Sequence, residues 1–362
     1  MSDFLEQISS RVLLCDGAMG TQIQSQNLDI DIDYLGQENC SEILNKSRPD
    51  LIREIHCKYL LAGADIIQTN SFGASPITLS EFDLSNEAKN LNKIAAELAN
   101  EAIESFSNDG RKRFVLGSVG PGTKLPSLGQ IKYQDLEEAL KLQCEGLIQG
   151  GVDAILIETC QDPLQVKAAI NGAKLACESI SKNIPLIVQI TMETTGTMLV
   201  GSEISAITTI VETLGIDILG MNCATGPREM TEHLRWISQR WPKHISVQPN
   251  AGLPELIDGQ TVYPLVPEEM TKWMERFVKE FGVNLIGGCC GTEPLHIQAL
   301  DNMLKGISEK PSYRPQPVKR SVHWVPGLAS LYSQVEFRQE NAYLSIGERC
   351  NANGSKKFRE LL

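Results

Sequence analysis

The chain has 362 residues, 42% hydrophobic and 22% charged, the balance of an ordinary globular protein; collagen, coiled coil and disorder are excluded. Lys and Arg number 33 against 45 Asp and Glu, a formal charge of −12, which argues against sequence-independent binding to nucleic acid or to an anionic membrane. No apolar run reaches the roughly 18 residues of a spanning helix, the start MSDFLEQISS has no signal-peptide core, and ten cysteines lack small-domain spacing. The expectation is a cytoplasmic monomer carrying thiols rather than disulfides.

Eight short apolar runs follow in order: VLLC (12–15), DIIQTN (65–70), FVLGSVG (114–120), DAILIET (153–159), PLIVQITM (185–192), DILGMNC (217–223), ISVQPN (245–250) and NLIGGCC (284–290). Each is rich in Val, Ile and Leu without strict alternation, as strands buried on both faces require. Stretches with helical spacing separate them, and several close on Gly just before the next strand (Gly63, Gly151, Gly282), where a left-handed cap costs least. From the third run on, strand-to-strand spacings of about 28 to 39 residues match one βα unit. The expected fold class is therefore α/β, a (β/α)8 TIM barrel over residues 1–308. An open doubly wound sheet would more often show a Gly-rich nucleotide turn after its first strand.

Beyond Leu304 the texture changes. Pro311, Pro315, Pro317 and Pro326, with a basic stretch from Lys310 to Arg320, predict an extended linker over 309–341 that runs over a surface. Residues 342–362, AYLSIGERCNANGSKKFRELL, read as a strand, a Gly/Asn turn and a helix starting near Ser355, the opening of a second domain cut off inside that helix.

A barrel carries its active site at the carboxyl ends of the strands. There the sequence gathers Asp16-Gly17, Asn70, Gly120-Pro121, Glu158-Thr159-Cys160, Glu193, Asn222-Cys223, Asn250 and Cys289-Cys290. Cys223 ends the sixth strand and Cys289-Cys290 the eighth, one strand apart around the rim. Adjacent side chains on a strand point opposite ways, but Gly287, Gly288 and Gly291 allow a bend that turns both thiols to one point. Three thiolates with an open fourth position suit a catalytic Zn2+; the alternative is buried thiols acting as small hydrophobes, the reading for Cys57, Cys144 and Cys177. Cys15 and Cys160 could line the cavity without binding anything. Asp16 and Glu158 face each other across the mouth, either as an acid/base pair or, beside a zinc site, as a grip on a substrate ammonium. Gly17, Ala18 and Gly20 would leave backbone N–H groups for a carboxylate. The Asn250 amide oxygen could fill the fourth metal position while substrate is absent, or simply serve the turn PNAGLP.

With those residues placed, the chain resembles the homocysteine S-methyltransferase family. DGAMGT (16–21), GADIIQTNSFGA (63–74), GSVGP (117–121), ETCQD (158–162), NCATGP (222–227), PNAG (249–252) and GGCCGT (287–292) match its landmarks in order, over residues 10–305. The resemblance implies a methyltransferase in which Cys223, Cys289 and Cys290 bind Zn2+ and L-homocysteine adds its sulfur as fourth ligand, with Asp16 and Glu158 on the amino group. The tail SIGERCNANGSKKFRELL resembles the start of the pterin-binding barrel of cobalamin-dependent members, with Cys350 where they carry Thr. That implies methylcobalamin as methyl donor, bound by a module outside this chain, and cobalamin- and folate-binding modules as partners in methionine biosynthesis. The competing readings are a free-standing homocysteine S-methyltransferase using betaine or S-methylmethionine, a metal-free acid/base lyase-type barrel, and a zinc that only staples strands six and eight.

Overall fold

The computed structural model describes residues 2–257, 260–309, 314–339 and 354–361. Eight strands form the barrel: β1 (Leu13–Leu14), β2 (Ile66–Gln68), β3 (Phe114–Val119), β4 (Ala154–Cys160), β5 (Leu186–Ile190), β6 (Ile218–Asn222), β7 (His244–Gln248) and β8 (Leu285–Ile286). All pairs are parallel, in the order β1-β8-β7-β6-β5-β4-β3-β2. The seam between β1 and β2 is joined by the single bridge Cys15↔Ile66, so the sheet is nearly closed. The α/β barrel is thus as expected, with ladders shorter than the apolar runs that encode them.

The barrel interior is built in two layers by the period-two rule of a strand. Low in the barrel, Leu13, Ile66, Leu116, Leu156, Ile187 and Leu285 form a dry cluster. Phe4 and Ile8, from the helix Asp3–Ser10, close it from below. Two residues further along the same strands, the inward positions turn polar: Gln68, Ser118, Glu158 and Gln189. Beside them on β7, Gln248 accepts a 2.7 Å hydrogen bond from Gln189 Nε2, which also reaches Ser246 Oγ at 3.2 Å. A side chain at Gly220 would place its Cβ 2.0 Å from Ser246 Oγ; glycine gives this polar layer its room. Outside the strands, the helices bury one apolar stripe each, such as Leu51, Ile52 and Ile55 or Leu234 and Ile237. Gly63, Gly151 and Gly282 do turn at positive φ (105°, 93° and 62°). No helix among the described residues is long and apolar enough to cross a membrane.

The segment after the barrel has no helix or strand over 314–326 and is mostly exposed or half-buried, and arginines anchor it to the barrel. Arg314 is buried beneath the barrel, where it donates to Asp65 (2.7 Å), Asp301 (2.7 Å) and the Gly63 carbonyl (2.6 Å). Pro315 O accepts from Val12 N at 2.9 Å. Arg320 donates to the carbonyls of Ser238 and Trp241 at 2.8 Å each, and to that of Lys243. The basic residues are there to satisfy buried carboxylates and helix-end carbonyls. A hairpin, Gly327–Ala329 with Gln334–Glu336, then packs on the helix Ile204–Glu212, whose cap Glu203 donates its N–H to Tyr332 O at 2.8 Å. Of the expected second domain, the strand and turn at 342–353 lie outside the described residues. One helical turn, Lys356–Arg359, is capped by Ser355 as read from sequence, and it carries no evidence of a second barrel.

Arg314→Ala removes the buried cation from Asp301, which keeps Lys305 at 2.6 Å, and one of the cations on Asp65, which keeps Arg11 at 3.1 Å and Arg111 at 3.3 Å. Breaking one side of a buried pair costs about 3 kcal/mol. The expected result is a lower urea midpoint at unchanged m-value; an unshifted midpoint would mark residues 314–323 as a true linker.

Candidate metal centre

The polar layer opens upward into a cavity of about 270 Å3, lined by residues of the loops after β1, β2, β4, β6 and β8. On one wall stand the three cysteines. Cys223 and Ala224 leave β6 at φ 58° and 56°, a left-handed turn that costs a residue with a Cβ on the order of 1–2 kcal/mol. That turn swings Cys223 back toward the barrel axis. At β8 the bend comes through Gly291 at φ 74°, and Gly288 N donates to Asp16 O at 3.0 Å. Cys289 N is tied to Pro249 O at 2.9 Å and Cys223 N to Gln248 O at 3.2 Å. The outcome is that all three sulfur atoms lie within 4.8 Å of one another, Cys223 and Cys290 at 3.9 Å.

Sulfurs at the corners of a tetrahedron with 2.3 Å metal bonds stand about 3.8 Å apart, so the spacing fits a zinc-sized ion. The charges suit one as well. Hydrogen bonds from Cys223 and Cys289 hold the Cys290 thiol well below its ordinary pKa, while the hydrogen bond with Cys223 and burial push Cys289 up. One thiolate forms easily and its neighbours resist; only a cation lets all three ionise.

Opposite lie the carboxylates. Asp16 is fixed by Gln68, whose N–H and Nε2 donate to its two oxygens at 2.9 and 2.8 Å. Glu158 accepts from Ser118 Oγ at 2.5 Å and from Asn222 Nδ2 at 3.1 Å. Burial pushes each acid up to about 7, against those hydrogen bonds, and for Glu158 the nearby Asp16 adds to the rise. A register shift between Ile157 and Cys160 marks a bulge in β4, with Thr159 at φ 57°. It aims Glu158 into the cavity, as bulges beside sites often do.

The expected site residues therefore come together, with two differences in detail. The Ala18 N–H is not free for a ligand: it donates to Thr292 O at 3.0 Å. Asn250 turns its amide oxygen to the Cys290 N–H at 3.1 Å, bracing the cysteine pair; a metal would have to take that oxygen's second lone pair. Cys15 and Cys160 are buried behind the wall, next to Asp16 Oδ1 and Glu158 O. Sequence reasoning assigned no role to Gln68, Ser118 or Asn222. The inward register of Gln68 and Ser118, two places above Ile66 and Leu116, and the place of Asn222 at the end of β6 were the available signals.

A family model described as homocysteine S-methyltransferase matches residues 13–304. The chain belongs to the homocysteine S-methyltransferase family. It is accordingly a methyltransferase domain. Methionine synthases of Mycobacterium tuberculosis and Mycobacterium leprae are 46% and 45% identical to it over 361 residues. The match takes in all of this chain but 30% of theirs, so the chain spans under a third of the length of these curated relatives. Among solved structures, the metallated form of the homocysteine methyltransferase MmuM from Escherichia coli superposes at a TM-score of 0.65. It shares 22% identity and covers 81% of this chain and 96% of its own, a likeness of fold.

Both acids rest near pH 7 in the fold, against about 4 in an unfolded chain. Between those values the folded state holds protons that the unfolded state has lost, so stability falls as pH rises through the window. Glu158→Gln removes its share. In metal-free, ligand-free protein it should be more stable than wild type at pH 8, by on the order of 2 kcal/mol in unfolding free energy, the two converging as the pH drops to 4. A variant less stable at pH 8 would mean that Glu158 is ionised and well satisfied in the empty cavity.

Proposed function

We propose that this chain binds L-homocysteine and activates its thiol to accept a methyl group from methylcobalamin, giving methionine, as one module of a methionine synthase. The observation that carries the reading is the convergence of Cys223, Cys289 and Cys290 on the cavity that Glu158 lines and that Asp16 adjoins through Gln68. Zn2+ held by the three thiolates would offer an open fourth position and lower the pKa of a thiol placed there.

The chain's own residues do the rest. With burial raising both to about 7, Asp16 and Glu158 hold part of their protons at neutral pH while the cavity is empty and give them up when an ammonium arrives, so buried charge is favoured as a pair. The Gly17 N–H, at the turn beside them, receives the substrate carboxylate. The amino acid is thereby gripped at one end, with its sulfur end toward the cysteines. A cavity of about 270 Å3 lies below the roughly 300–1,000 Å3 of pockets for drug-sized ligands. It suits an amino acid and excludes a corrinoid, so the methyl donor must come to the mouth. Phe72, which lines the cavity, and Leu128, Leu199, Leu256 and Leu295, exposed on the segments that follow β3, β5, β7 and β8, put apolar surface at the strand ends of the kind a partner module covers. The length of the curated relatives supports cobalamin- and folate-binding modules as those partners.

The test is metal content followed by proton release at pH 8, where both carboxyls are already ionised and a free thiol is still mostly protonated. Expected are about one zinc per chain and close to one proton released per L-homocysteine bound, with both lost in Cys290→Ser. Turnover should then require methylcobalamin. Methylation by betaine or S-methylmethionine alone would favour a free-standing enzyme, and zinc without proton release would leave a structural staple.

A further inference from the structure

Asn222 stands between the two halves of the cavity, and its amide is fully committed. Its Oδ1 accepts from Thr159 N at 2.8 Å. Its Nδ2 donates to Thr159 Oγ1 at 2.8 Å and to Glu158 Oε2 at 3.1 Å, and stands 3.9 Å from Cys289 Sγ. The backbone is held in turn by Thr191 Oγ1, which donates to Asn222 O at 2.9 Å.

Two features make this more than local packing. Thr159 is at φ 57° and Cys223, the next residue on β6, at φ 58°. Both turns need external bonds to hold them, and Asn222 supplies two of those on Thr159. Second, an amide nitrogen has two hydrogens, whereas three acceptors surround this one. Thr159 Oγ1, the nearest, takes one; Glu158 and the Cys289 sulfur are left to share the other.

The geometry points to Asn222 as a positioning residue for amino-acid recognition. It locks the β4 bulge so that Glu158 faces the substrate ammonium, and its shared hydrogen ties that carboxylate to the cysteine cluster. This rests on the homocysteine reading above. When an ammonium binds Glu158, the carboxylate's demand on the shared N–H falls and the hydrogen passes toward Cys289 Sγ. Asn222 thus favours thiols that carry the amino group over thiols that do not.

The probe is a pair of thiols, L-homocysteine and 4-mercaptobutanoate, which lacks only the amino group. Their dissociation constants are measured on the same zinc-loaded full chain at pH 8. Asn222→Ala should lower the preference for homocysteine at least ten-fold by weakening homocysteine alone, with zinc content held at about one. Misfolded protein cancels from the ratio, and Asn222→Ser serves as a second, smaller polar replacement. An unchanged ratio, or equal weakening of both thiols with loss of zinc, overturns the inference and leaves Asn222 a structural residue. If wild type itself shows no preference, the homocysteine reading falls and the Asn222 assignment falls with it.

Discussion

The constraint on which this structure turns is electrostatic. Three thiols are forced within 4.8 Å of one another, and they cannot shed their protons together without a cation among them. Every unusual backbone feature near β6 and β8 serves that convergence. Cys223 and Ala224 take left-handed conformations, Asn250 braces Cys290, and Gly288 hangs on Asp16 O. That last bond joins the cysteine loop to the turn carrying the first carboxylate.

The barrel makes such a site affordable because its layers separate stability from chemistry. Below, Phe4, Leu13, Leu116, Leu156 and Leu285 form a dry core. Above, the same strands present Gln68, Ser118 and Glu158, each paired. Strand periodicity alone converts one into the other over two residues. The chain beyond the barrel strengthens the lower end: Arg314 neutralises Asp65 and Asp301, and Asp65 Oδ2 in turn accepts the Leu14 N–H at 3.0 Å, two residues before Asp16.

Much of this was legible in the sequence because it is written in local pattern. Apolar runs separated by helical spacing, with Gly63, Gly151 and Gly282 at the joints, specify a parallel barrel whose strand ends can be counted. Counting them brings Cys223 and Cys289-Cys290 to neighbouring positions on the rim. What could not be read depends on contacts between distant segments. The β4 bulge at Glu158-Thr159 looks like ordinary strand until Asn222 is placed beside it. The Ala18 N–H looks free until Thr292 arrives from the far end of the chain. Arg314 and Arg320 read as linker charge because their partners, Asp65, Asp301 and the carbonyls of Gly63, Ser238, Trp241 and Lys243, lie 13 to 251 positions away.

The two carboxylates and the cysteine cluster also answer each other in charge. A cavity with both acids ionised beside three thiolates would concentrate negative charge, and burial that raises both acids to about 7 lessens it by letting them hold part of their protons. On the proposed reading, homocysteine brings one ammonium to the acids and one sulfur to the metal, so recognition at one wall and activation at the other draw on the same charge balance. A ligand with only the thiol would leave the acids protonated and the amino-acid wall unused. A ligand with only the ammonium would leave the metal position to water. Coupling through Asn222 makes the site respond to both groups of one molecule rather than to either alone, and the small cavity then leaves the methyl donor a single approach, along the line from the mouth to the sulfur.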